Sequence, residues 1–219
     1  MDIELKTEDG QTISAYRAGD ANAKRGLVVL QEIFGVNGHI RDVCETFAKQ
    51  GYDVIAPALF DRAQKDVELG YTGEDVQAGL ALRAKVDLAD TLKDIEAAIK
   101  ALAGKPVAIV GYCWGGALAW QAACKLGGLA AASCWYGGGI AQAKDLTPKI
   151  PVQMHFGGKD GSIPMSDVEA IQAAQPNVEF HVYPEAGHGF GCDQRGSYDA
   201  AAYQLAQERT LRYFDQHLS

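Results

Sequence analysis

No stretch of this 219-residue chain approaches the roughly 18 consecutive apolar residues of a membrane-spanning helix, and the opening MDIELKTEDG is acidic where a secretory leader is basic and then apolar. Both absences lead to the expectation of a cytoplasmic protein that does not engage a membrane. Basic residues are in the minority, 20 Lys and Arg against 28 Asp and Glu, giving a formal net charge of -8 and a sequence pI near 5.1. Such a surface repels polyphosphate, so nucleic acid is set aside and small molecules remain as the expected partners. There is no C-x-x-C pair, and the five cysteines (44, 113, 124, 134 and 192) are odd in number, so neither a disulfide framework nor a zinc site is indicated. Cys44, Cys124 and Cys134 lie in apolar surroundings and are read as inert core thiols. No repeat, low-complexity segment or Pro/Ser-rich linker interrupts the chain, so residues 1–219 are expected to form one domain.

Apolar strand-like runs alternate with amphipathic ones from about residue 26 onward, the signature of a mostly parallel central sheet with helices on both faces. GLVVLQE (26–32), YDVIAP (52–57), PVAIV (106–110), AASCWYG (131–137), VQMHFGG (152–158) and EFHVYP (179–184) read as strands. Residues 40–50, 165–174 and 199–217 read as helices, and 74–102 as one long helix or a pair. The first 18 residues read as a hairpin turning at Asp9-Gly10.

Within this α/β pattern GYCWGG (111–116) stands at a strand-to-helix turn. Hydrolases place an exposed serine at such a turn in the pattern G-x-S-x-G; here the nucleophile position holds Cys113. A thiol at a helix N-terminus sits where peptide dipoles favour its anion, the form that attacks carbonyls. Ligands of open α/β sheets bind beyond the carboxyl ends of the strands. Glu32, Asp160 and His188 also fall at such ends. Cys113, Asp160 and His188 follow the chain order nucleophile, acid, base, in which an imidazole takes the thiol proton and an aspartate orients it. Backbone N–H groups of Ile33 and Trp114 are the expected oxyanion hole.

QEIFGVN (31–37), GYCWGGALA (111–119), GGKD (157–160) and EAGHGF (185–190) resemble, in order along the chain, the dienelactone hydrolase family of the α/β-hydrolase fold. The resemblance implies a cysteine-dependent, metal-free and cofactor-free monomer that opens a lactone or ester such as dienelactone to maleylacetate through a thioester, in the degradation of chlorinated aromatics. It implies that Cys113, Asp160 and His188 are the triad, that Glu32 pairs with the thiol and helps activate it, and that Tyr136 lines the pocket. Family members hold the substrate carboxylate with two arginines, at positions where this chain has Val76 and Cys192. Arg62, Arg83 and Arg195 are the nearby candidates to replace them, with Arg83 and Arg195 taken as substrate-binding. The alternatives are a hydrolase of uncharged lactones, esters or thioesters, and a non-catalytic ligand-binding or thiol redox-sensing protein.

Overall fold

The computed structural model describes residues 1–218. Its opening hairpin pairs β1 (Asp2–Lys6) with β2 (Thr12–Ala18) around a turn through Gly10 at φ +82°. β3 (Arg25–Leu30), β4 (Tyr52–Pro57), β5 (Val107–Tyr112), β6 (Ala131–Trp135), β7 (Val152–Gly157) and β8 (Glu179–Tyr183) complete one sheet. The strand order is β1-β2-β4-β3-β5-β6-β7-β8; β1 and β2 run antiparallel to their neighbours and every other pairing is parallel. This is the α/β-hydrolase arrangement anticipated above.

Among the described residues five α-helices lie between strands and a sixth follows the last: α1 (Gly38–Lys49), α2 (Gly73–Arg83), α3 (Leu88–Ala101), α4 (Trp114–Lys125), α5 (Met165–Ala174) and α6 (Ala200–His217). The 74–102 stretch is a pair, not one helix. Asp87 starts the second member by accepting a hydrogen bond from Ala89 N (2.7 Å), while Thr72 and Asp75 form a reciprocal cap on the first. Every residue of β4, β5, β6 and β7 is buried, which accounts for their largely apolar composition, with Asp53, Ser133, Gln153 and His155 as buried polar exceptions. Tyr52 of β4 packs between Phe47 of α1 and Phe214 of α6, with ring centroids 6.0 and 6.5 Å away, placing those helices on one face. α3 and α4 pack on each other and on β3.

One strand end differs from expectation. The β3 ladder stops at Leu30, so Glu32 stands two residues beyond it in the loop, and the side chain of Gln31 accepts a hydrogen bond from Leu59 N (3.0 Å).

Candidate active site

β5 ends at Tyr112 and α4 begins at Trp114, leaving Cys113 alone to turn the chain. It does so at φ +54° and ψ -117°, a conformation that costs a non-glycine residue about 1–3 kcal/mol. The surroundings hold it there. Cys113 N donates to Trp135 O (3.0 Å), and its carbonyl accepts from Gly116 N (3.0 Å). Gly115 is indispensable to the close approach of α4 and β3, because a Cβ at that position would lie 2.4 Å from Leu30 O. The half-buried sulfur therefore stands at the positive end of α4, facing the cleft beyond the strand ends.

Loops after β7 and β8 bring two partners to it. His188 Nε2 lies 3.1 Å from Cys113 Sγ, and His188 Nδ1 lies 2.7 Å from Asp160 Oδ2. The other carboxylate oxygen of Asp160 accepts from Ser162 N (2.7 Å) and Ile163 N (3.1 Å), so the acid is fixed before it orients the ring. Burial alone would push the His188 pKa down. The hydrogen bonds to Asp160 and to Cys113, with the charges behind them, outweigh it and push the imidazole up to about 10. At neutral pH the ring is thus poised as an imidazolium between two potential anions.

A cleft of about 410 Å³ opens above the sulfur, within the range of small-molecule sites. Cys113, His188, Ile33, Val76, Arg83 and Arg195 all reach it, and Phe34 and Leu80 add apolar surface. Gly79 of α2 lets the helix settle on the loop that carries Ile33, since a Cβ there would lie 2.2 Å from Ile33 O. Trp114 is buried with its ring stacked on Phe60 at 5.1 Å, and its N–H, first in α4, has no partner within the helix.

Three expectations require correction. Tyr136 does not line the cleft: it is fully buried beneath it, its ring edge-on to His188 at 5.4 Å and its hydroxyl without a partner. Glu32 is paired with an arginine and not with the thiol, Oε1 accepting from Arg195 Nη1 at 3.0 Å while Oε2 has no partner. Arg62 is tied to Asp94 and Asp9 and does not line the cleft. Arg195 is the cation that reaches both Glu32 and the cleft; burial opposes its charge, but the Glu32 carboxylate holds its pKa up. Arg83 lies exposed at the rim with no ion pair among the described residues. Sequence reasoning missed Phe34, Leu80 and Ser162, which carry no signal beyond lying near a motif.

A family model for the dienelactone hydrolase family matches residues 13–218. The chain belongs to the dienelactone hydrolase family. This is a family of carboxylic ester hydrolases acting on esters and lactones. Among its members, the carboxymethylenebutenolidase of Pseudomonas putida is 33% identical over 223 residues, covering 96% of this chain and 94% of its own. A Synechocystis protein provisionally given the same name is 39% identical over 212 residues, 88% of this chain and 86% of that one. The crystal structure of a Klebsiella pneumoniae protein, provisionally named a dienelactone hydrolase, superposes with a TM-score of 0.83 at 32% identity, over 99% of this chain and 98% of that one. The α/β-hydrolase fold of this dienelactone hydrolase family member extends to more distant esterases, such as one from Thermogutta terrifontis at 18% identity, covering 99% of this chain and 93% of that one with a TM-score of 0.65.

Proposed function

We propose that this family member is a cysteine hydrolase that opens a carboxylate-bearing lactone of the dienelactone type. The observation that carries the reading is the hydrogen-bonded series Cys113, His188, Asp160 at the floor of a cleft that also receives two arginines. Cys113 Sγ, sharing its proton with His188, attacks the lactone carbonyl, and the backbone N–H groups of Trp114 and Ile33 stabilise the oxyanion. The ring C–O bond then breaks, the enolate oxygen leaves, and the acyl group remains on sulfur as a thioester. A thiolate is itself a good leaving group, so a stabilised enolate competes with its return better than a simple alkoxide does. With the sulfur acylated, one of the interactions that kept His188 charged is gone. Its pKa falls, the imidazolium gives its proton to the departing enolate, and the now neutral ring, still held by Asp160, takes a proton from the water that attacks the thioester and releases the acid as maleylacetate, the proton returning to the sulfur.

Arg195 is the proposed anchor for the substrate carboxylate, with Arg83 assisting at the rim. Glu32 occupies Arg195 in the free protein, so an incoming carboxylate competes with Glu32 for the guanidinium. Released from it, Glu32 is free to turn towards Cys113 and assist in forming the nucleophile on substrate arrival. The expected partner is a small molecule, acted on by a monomer in the cytoplasm.

The decisive comparison is turnover of dienelactone and of a neutral activated ester by the wild type and by Cys113→Ala. Rapid dienelactone hydrolysis abolished by the substitution is the expected result. Retained activity in Cys113→Ala would discard the cysteine mechanism. Cys113-dependent turnover of the neutral ester alone would redirect the reading to uncharged lactones, esters or thioesters.

A further inference from the structure

Behind the cleft wall, three side chains from separate parts of the chain converge. One ligand atom each of Glu32, His39 and Cys192 lies within 4.8 Å of the others, and all three residues are buried, exposed by 1%, 4% and 0%. Glu32 Oε2 and His39 Nε2 are buried without a hydrogen-bond partner among the described residues. Such groups ordinarily find one, because an unmet buried acceptor or donor costs about 1–3 kcal/mol. Two unmet atoms in the same small cluster call for a common ligand. A divalent cation can meet a carboxylate oxygen, an imidazole nitrogen and a sulfur together.

From this geometry we propose that Glu32, His39 and Cys192 form a binding site for a borderline-soft divalent metal ion of the zinc class. The donor set is one oxygen, one nitrogen and one sulfur, which suits Zn²⁺ and Co²⁺ and disfavours Mg²⁺ and Ca²⁺. Metal–ligand bonds of about 2.0–2.3 Å in a tetrahedron place donors about 3.3–3.8 Å apart, so the present spacing asks for a contraction of about 1 Å, within the reach of side-chain rotation.

The surroundings complete the assignment. His39 Nδ1 lies 3.4 Å from Asp193 Oδ1, the carboxylate-to-histidine support that orients metal-bound imidazoles. The Tyr71 hydroxyl accepts from Asn37 Nδ2 at 3.1 Å and lies near Cys192. A small surface cleft of about 90 Å³, lined by His39, Gly191 and Asp193, gives a route from solvent. On binding, the Cys192 S–H bond is replaced by a sulfur–metal bond and the proton leaves to solvent. Cys192 and Arg195 share a turn, closed by Arg195 N donating to Cys192 O (3.1 Å), so the site abuts the cation of the cleft without using the nucleophile. The Arg195 guanidinium on Glu32 Oε1 leaves Oε2 for the metal and weakens, without cancelling, the attraction.

The test uses Co²⁺ with the Cys113→Ala protein, so that the thiol of the cleft cannot contribute. Titration is expected to give one equivalent of bound Co²⁺ with a sulfur-to-cobalt charge-transfer band, displaced by Zn²⁺. Adding Cys192→Ser should abolish the band, and adding His39→Gln should weaken binding at least tenfold, with melting curves confirming that both variants fold. Absence of the band in Cys113→Ala overturns the proposal, as does a band that survives Cys192→Ser. If one variant fails to fold, the other decides by the same criterion.

Discussion

Replacing Arg195 by Gln removes the one side-chain hydrogen bond, among the described residues, of a carboxylate that is 1% exposed, and two consequences can be worked out. The first is stability. Breaking a buried ion pair from one side costs about 3–5 kcal/mol, and the lower end, about 3 kcal/mol, applies here because the Arg195 side chain is 21% exposed and water can follow it out. For a chain of this size that is a fall in Tm of about 6–12 °C. Glu32→Gln in the same chain removes the stranded charge, so the double variant should recover to within about 1 kcal/mol of the wild type. The second consequence is selectivity. A charge-assisted hydrogen bond to a substrate carboxylate is worth about 1.5–3 kcal/mol, so the ratio of kcat/KM for dienelactone to that for a neutral ester should drop about 10–150-fold. Urea melts and paired substrate assays on the four proteins of the cycle provide both readouts. A single variant within 1 kcal/mol of the wild type would refute the energetic argument; an unchanged selectivity ratio would refute the assignment of Arg195 to the carboxylate.

Two further substitutions bear on the triad and its turn. Asp160→Asn removes the charge that favours imidazolium, so the His188 pKa should fall from about 10 towards the ordinary 6.5, seen by NMR titration of the ring, with kcat reduced by about 10²–10⁴. Because that pKa is raised in the folded state, the stability it confers is fully present below pH 6.5 and is lost as pH rises towards about 10; the loss should be smaller in Asp160→Asn. Gly115→Ala drives a methyl into Leu30 O and should cost at least about 2 kcal/mol in chemical denaturation, with Cys113 alkylation kinetics altered as the elbow shifts.

Much of the fold and of the site is legible in the sequence because local chemistry and global fold agree. The apolar runs of β4 to β7 announce a sheet covered on both sides, and the glycines around Cys113 announce a turn that nothing bulkier could make. The order of Cys113, Asp160 and His188 gave their meeting, since each follows a parallel strand and so arrives at the same edge. What could not be read is side-chain direction and distant pairing. Tyr136 follows β6 as a pocket residue should, yet its backbone at φ +36° sends the ring under the floor. Arg195 and Glu32 are 163 positions apart, and no periodicity links them. The same holds for Glu32, His39 and Cys192, whose spacing resembles no metal motif because a loop, a helix and a turn each supply one member.

The placement of the arginines has an evolutionary reading. The nucleophile and its two partners hang from strand ends that the whole sheet holds in register, whereas Arg83 and Arg195 ride on a helix end and a surface turn. A cation lost at one position can therefore be regained a few residues away without disturbing the chemistry below. Substrate range in such an architecture drifts on the rim while the engine stays bolted to the sheet, and libraries confined to Val76, Leu80 and Arg83 search substrates at constant mechanism.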